Sequence, residues 1–270
     1  MRHGLFLPPF DELADPHRLV ELAVLAESSG WDGFFLWDHL TYPAPVSAIL
    51  DPYVCLSAVA TATSRMAIGP MITPLTKRTL AVVARQALAL DALSHGRLIM
   101  GFGLGDDPPL GERDQPLHVL NGVERGRALS EAVALFRDLL RGDARAHDGE
   151  YYQVPARTFV GGGTRSRDVP IWLGARWPHQ APLRRAAAYD GAFEIFLDGP
   201  ENVAEVRSTL QTAGANLEHF DVVVWSGAID ALDAARWSAQ GVTWLLRGAG
   251  PFNMRFEEIR DQIAAGPRRE

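Results

Sequence analysis

Short apolar runs of strand length recur along this chain about every 30 residues, and a helical pattern with its own start signal follows each one. That spacing suits a βα unit, in which the helix carries the chain back so that the next strand lies parallel to the last. Residues 3–7 (H-G-L-F-L) end at Pro8-Pro9, and Asp15-Pro16 then offers an N-cap with proline at the first helical position. Leu19, Leu22, Ala23 and Ala26 recur at helical spacing until Gly30. Residues 33–37 (G-F-F-L-W) are apolar throughout, as a strand buried on both faces should be, and they end at Asp38-His39. Asp51-Pro52 opens a second helix through Leu56, Val59 and Ala60. Residues 67–72 (A-I-G-P-M-I) form a third strand ending at Thr73-Pro74, and Thr79 caps a helix through Leu80, Val83, Ala84 and Ala87. Gly96 stops that helix, Arg97–Met100 is the fourth strand, and Gly101, Gly103 and Gly105 form its exit.

The rhythm then stretches. Residues 104–122 carry Gly, Pro and Asp without a period and are expected to loop over a pocket. A helix with Leu129, Ala132, Val133, Phe136 and Leu140 on one face stops at Gly142. Tyr151–Val154 and Phe159-Val160 are expected to form a small hairpin outside the main architecture, and Gly161–Gly163 a flexible tip. The repeat resumes with strands at 169–173, 192–196, 221–225 and 242–246, each with a helical pattern behind it. Eight units predict one α/β domain over residues 1–270, a (β/α)8 TIM barrel with a hairpin and loop excursion between its fourth and fifth strands. A doubly wound open sheet is the other architecture that the count allows.

Net charge is −7 with basic residues scattered, which disfavours nucleic acid and anionic membrane as partners. The single Cys55, inside an apolar helical run, rules out a disulfide framework and reads as a buried thiol. The N-terminus enters a strand without a signal-peptide pattern and no apolar run reaches spanning length, so a cytoplasmic protein is expected.

Ligands of such barrels bind where the strands end in the C-terminal direction. That rule selects Pro8, Asp38, His39, Met71 to Thr73, Gly103 to Asp106, Gly174 to Arg176, Glu194, Trp225 and Arg247. Histidine titrates near neutrality and can move a proton, and a neighbouring carboxylate can tune it. His39 with Asp38 could therefore be catalytic, or Asp38 could cap a loop beside an exposed ring. Asp106 is a second candidate proton-handling group, or a turn residue before Pro108. G-F-G-L-G lacks the helix start and the distant acidic residue of a dinucleotide fingerprint. Gly174-Ala175-Arg176 fits anion capture through open backbone N–H groups and a guanidinium, with a solvated loop arginine as the alternative. The eight histidines form no H-E-x-x-H pattern, and neither C-x-x-C nor G-x-S-x-G occurs, so metal and covalent hydrolase chemistry find no support.

Several segments together resemble the bacterial luciferase-like monooxygenase superfamily of flavin- and deazaflavin-dependent barrels. They are G-W-D-G-F-F-L-W-D-H (30–39), residues 51–63, I-G-P-M-I-T-P-L (68–75), residues 84–105 with L-S-H-G-R-L, V-P-I-W-L-G (169–174) and A-A-A-Y-D-G (186–191). The resemblance implies a flavin or deazaflavin ring at the strand ends, supported from behind by a cis peptide at Met71–Ile72. It implies cofactor contacts at Met71, Ile72, Thr73, Gly103 and Gly105, and cofactor phosphate at Gly174, Ala175 and Arg176. The D-H pair is similar to the deazaflavin-using branch, where the histidine is acid or base near the ring; many FMN-using relatives have glutamate before it. Asp106 maps to an acidic residue of that branch, as Asp rather than the longer Glu. The chain is shorter than most relatives around residues 155–170, where many carry a substrate lid. The expected function is hydride transfer between reduced coenzyme F420 and a carbonyl, imine or conjugated alkene. An FMN-dependent monooxygenase activating dioxygen, served by a separate flavin or F420 reductase, is one alternative, and a non-catalytic ligand-binding barrel is another. The resemblance also implies a homodimer.

Overall fold

The computed structural model describes residues 1–105, 121–142, 146–156, 169–229, 234–252 and 255–269. The first two units form as their start signals dictate. β1 (Arg2–Leu7) is followed by α1 (Pro16–Ser28), where the Asp15 carboxylate accepts from the His17 amide and Pro16 fills the first turn. β2 (Gly33–Leu36) is followed by α2 (Pro52–Ala62), capped by Asp51, which accepts from the Tyr53 and Val54 amides. The third strand is in two pieces, β3 (Ala67–Pro70) and β4 (Thr73–Pro74), and α3 (Leu80–Leu93) comes next. Thr79 holds the N-cap position of α3 but its side chain makes no capping bond.

β5 (Met100–Gly103) begins three residues later than the apolar run predicts. Gly101 and Gly103 are therefore strand residues and not a loop exit. The bulged third strand requires them: a Cβ on Gly101 would lie 2.4 Å from the Met71 sulfur and 2.9 Å from the Pro70 carbonyl oxygen. Phe102, between them, points the other way and packs on Phe136 of α4 (Gly122–Arg141) with ring centroids 4.8 Å apart.

α4 opens with a capping box between Asn121 and Glu124 and stops at Gly142, whose φ is +75°. A hairpin forms between residues 147 and 154. β6 (His147–Asp148) pairs antiparallel with β7 (Gln153–Val154), and Phe159-Val160 lie outside the described residues. Glu131 of α4 fixes it, accepting from His147 Nε2 at 2.9 Å and from the Tyr151 and Tyr152 amides.

The remaining units are β8 (Ile171–Arg176), α5 (Gln180–Ala186), β9 (Gly191–Ile195), α6 (Val203–Thr212), β10 (Asp221–Trp225), α7 (Ala234–Ala239), β11 (Trp244–Arg247) and α8 (Phe256–Ala264). The sheet runs β3-β2-β1-β11-β10-β9-β8-β5-β4, every pair parallel. Its two ends are the two halves of one strand, and an Ile68–Leu98 bridge joins them lower down. The result is an eight-strand barrel, and the open doubly wound sheet is excluded. Rings from strands that are not neighbours meet inside it. Phe35, Trp172 and Trp244 form one layer at 5.5–5.7 Å. Phe6, Trp37, Phe193 and Trp225 form the next layer towards the strand ends. Among the described residues, no helix is long and apolar enough to cross a membrane.

The arginine of the L-S-H-G-R-L stretch is a clamp beneath this barrel. Arg97 donates to the carbonyls of Ala60, Thr63, Met66 and Ser94 at 2.7–3.0 Å, taking up the unpaired carbonyls at the end of α2. Arg97→Ala is expected to cost about 3 kcal/mol, because several charge-assisted bonds to buried carbonyls vanish together. Thermal unfolding would show this as a fall of roughly 6–12 °C.

Candidate active site

The break between β3 and β4 puts Met71 and Ile72 at the barrel mouth, and the peptide between them is cis. Ile72 is half-buried and rests on bare backbone. Cβ atoms placed on Gly103 and Gly174 would lie 2.9 Å from its Cγ2 and 2.3 Å from its Cδ1. Gly174 is thus shaped by packing as well as by any ligand. Gly174, Ala175 and Arg176 are the last three residues of β8, paired with Phe193, Glu194 and Ile195, and not an open loop. The group this stretch offers to an anion is the Arg176 side chain, which is exposed and lies 4.8 Å over the Phe196 ring. It makes no ion pair among the described residues. Gly105 leaves the barrel with φ +72°. Asp106 lies outside the described residues.

Asp38, just past β2, reaches across to the third strand. Its buried carboxylate accepts from Thr73 Oγ1 at 2.7 Å and from the Arg78 guanidinium. Thr73 spends its only proton on Asp38, so Tyr53, 2.7 Å away, donates to the Thr73 oxygen. Arg78 also faces Asp51 at 3.6 Å. Burial pushes the Asp38 carboxyl up to about 6, against the opposing pull of Arg78 and Thr73. The same burial lowers Arg78, but Asp38, Tyr53 and Asp51 outweigh it and hold the guanidinium charged. Asp38 is therefore tied into an interior network, with both oxygens engaged on the side of Thr73 and Arg78.

His39 lies half-buried at the mouth, among rings. Its imidazole centroid is 5.1 Å from Tyr42, 6.0 Å from Trp37 and 6.1 Å from Phe10. The Asp38–Thr73 bond brings it close to the bulge: His39 is one residue beyond one end, and Ile72 one residue before the other.

Two of the other strand-end residues face away from the mouth. Phe193 is inside the barrel, so alternation turns Glu194 outward, beside Ala175 and Val224. Glu194 is 1% exposed, neither oxygen has a hydrogen-bond partner among the described residues, and burial pushes it up to about 8. Trp244 is inside, so Arg247 also points outward, where it donates to the Arg268 carbonyl at 2.8 Å. The residues that sequence reasoning passed over are Tyr53 and Arg78. A tyrosine in the first turn of a helix and an arginine after a lysine read as ordinary local features, and only the folded chain joins them to Asp38.

Relatives supply the context for this geometry. A family model described as luciferase-like monooxygenase matches residues 1–264. The chain is similar to an F420-dependent glucose-6-phosphate dehydrogenase of Nakamurella multipartita, 30% identical over 222 residues, covering 77% of this chain and 62% of that protein. It thus spans less than two thirds of that relative's length. Two solved structures share the fold. One is a coenzyme F420-dependent tetrahydromethanopterin reductase from Methanopyrus kandleri, with TM-score 0.77, 17% identity and 98% coverage of both chains. The other is an F420-dependent secondary alcohol dehydrogenase in complex with an F420–acetone adduct, with TM-score 0.78, 16% identity and coverage of 98% of this chain and 96% of that one. With a match over nearly its whole length, a barrel of the same architecture and a bulged third strand beside an Asp-His pair, this chain belongs to the luciferase-like monooxygenase family.

Proposed function

We propose that the chain is an F420-dependent oxidoreductase working at the mouth of its barrel. The observation that carries this is the 2.7 Å bond from Thr73 to Asp38, which ties the chain just before His39 to the chain just after Ile72 at the barrel mouth. The residues suit the cofactor. Ile72 offers an apolar step against a flat ring, Gly103 and Gly174 keep the backbone behind it low, and Arg176 offers an exposed guanidinium to a phosphate. Met71, Thr73 and Gly105 complete that wall, to which Ala175, its side chain on the outward face with Glu194, contributes backbone alone. When bound, F420 supplies a hydride donor and acceptor at its ring carbon C5.

The chain's own part is to bind, position and move a proton. His39 gives a proton to the substrate oxygen, or takes one from it, while Phe10, Trp37 and Tyr42 keep water from its flanks. Asp38, held by Arg78 and by the Tyr53–Thr73 pair, positions the segment that carries His39. Asp106 is assigned an assisting role on the resemblance alone. The reading includes a cytoplasmic homodimer through α2 and α3, on which Val54, Val82 and Leu93 are exposed.

FMN is the competing ligand, and titration separates the two. The purified chain is expected to bind F420 at least about tenfold more tightly than FMN, a difference of roughly 1.4 kcal/mol. Tighter binding of FMN would overturn the proposal in favour of an oxygen-activating enzyme fed by a separate reductase.

A further inference from the structure

The strand order divides the mouth into two halves. The proposed cofactor wall is built by β4, β5 and β8, which are consecutive in the sheet. The other half is built by β9, β10, β11, β1 and β2. Its surface is a chain of rings in contact: Phe196, Trp225, Trp37, His39, Tyr42 and Phe252, each 5.1–6.0 Å from the next. Phe196 and Phe252, at its two ends, are 55% and 44% exposed. Large apolar rings left in water on either side of a concave mouth mark a contact surface.

The charge of this half is equally distinctive. Among the described residues, the segments that follow its five strands are 8–15, 37–51, 196–202, 226–229 and 248–252, and none contains a lysine or an arginine. They do contain Asp11, Glu12, Asp198 and Glu201. Arg247, the last residue of β11, is turned outward onto the Arg268 carbonyl. A phosphate monoester needs guanidinium, ammonium or clustered N–H donors to replace its water, and here, beyond the Arg176 guanidinium that stacks on Phe196 and is assigned to the cofactor phosphate, the described residues offer it rings and carboxylates. Donors are present in another form. Trp37 Nε1 and Trp225 Nε1 are buried with no hydrogen-bond partner among the described residues, and Trp37 is only 8% exposed. Both indoles are in the ring layer nearest the mouth, above the sealed layer of Phe35, Trp172 and Trp244.

We infer that the substrate is an uncharged, flat, largely apolar molecule bearing a carbonyl-type oxygen, and that this chain does not accept a sugar phosphate. The inference rests on the F420 reading for the identity of the opposite wall. The ring chain takes the flat body of the substrate, an indole N–H can hold its oxygen, and His39 sits in the middle of the chain where the reacting oxygen must lie.

Calorimetric titration of the F420-loaded chain with 2-acetonaphthone and with glucose 6-phosphate tests this. The ketone is expected to bind at least about tenfold more tightly than the sugar phosphate. Trp225→Phe keeps the ring and removes the N–H, and should weaken the ketone by about 2–10-fold. Phe196→Lys should weaken the ketone and strengthen the sugar phosphate, and because Phe196 is exposed the variant should fold. Equal or tighter binding of glucose 6-phosphate by the parent overturns the inference, as does failure of the ketone to bind. An unchanged ketone affinity in Trp225→Phe overturns the assignment of the indole donor. A separate titration with F420 keeps the two claims apart. F420 binding with preference for the sugar phosphate refutes the substrate class alone, and ketone binding without F420 binding refutes the cofactor alone.

Discussion

With His39 replaced by alanine, turnover of a carbonyl substrate by the F420-loaded chain should fall by about 10²–10⁴-fold, the usual range for removing a positioned proton donor. Affinity for F420 should change little, because the imidazole faces Phe10, Trp37 and Tyr42 and the phosphate contact is assigned to Arg176 across the mouth. The loss should appear in kcat and in kcat/KM alike, as it does when an interaction is made only in the transition state. Steady-state and single-turnover kinetics on the parent and the variant decide it. A variant as active as the parent would remove His39 from the chemistry. A parent inactive across aldehydes, ketones, imines and conjugated alkenes would favour a barrel that binds its ligand without turning it over.

The second large effect is on stability and comes from Glu194. In the folded chain its carboxyl is pushed from 4.5 up to about 8 by burial. Between those values the folded protein keeps a proton that the unfolded chain has released. Its contribution is thus fully present below 4.5 and is lost as pH rises through 8. The whole span corresponds to up to about 5 kcal/mol at 1.4 kcal/mol per pH unit. Glu194→Gln keeps the shape and cannot ionise. The variant should melt up to roughly 10–20 °C above the parent near pH 9 and within a degree or two of it near pH 4.5. Melting curves that run parallel from acid to alkali would show that the carboxylate is compensated in the folded chain.

Local chemistry made most of the fold legible. Asp15-Pro16 and Asp51-Pro52 start helices because a short carboxylate and a fixed φ act within one turn, whatever lies beyond. Continuous apolar runs marked the strands, and their number marked the barrel. The strand at Met100–Gly103 was misplaced by three residues because its glycines serve a neighbour, the bulge at Met71 and Ile72, which is some 30 residues earlier in the chain. The strand residues Gly174 to Arg176 looked like a loop for the same reason, since Gly174 is bare to admit Ile72. The Asp38 network joins Asp38 to Tyr53, Thr73 and Arg78, and no periodicity connects positions that far apart. Glu194 was visible as a strand-end acid, but whether it faces the mouth or the helices turns on one residue of alternation, which Phe193 settles. The lack of lysine and arginine in the described segments that follow β9, β10, β11, β1 and β2 was in the sequence throughout. It acquired meaning once the sheet order showed which segments share a side.

The most direct measurement is a crystal structure of this chain soaked with oxidised F420. The account predicts ring density against Ile72 with the His39 imidazole at its edge, phosphate density at Arg176, and the Phe196–Phe252 half left open for substrate. Density for the ring on the aromatic half, or bound anywhere away from the 71–72 bulge, would contradict it.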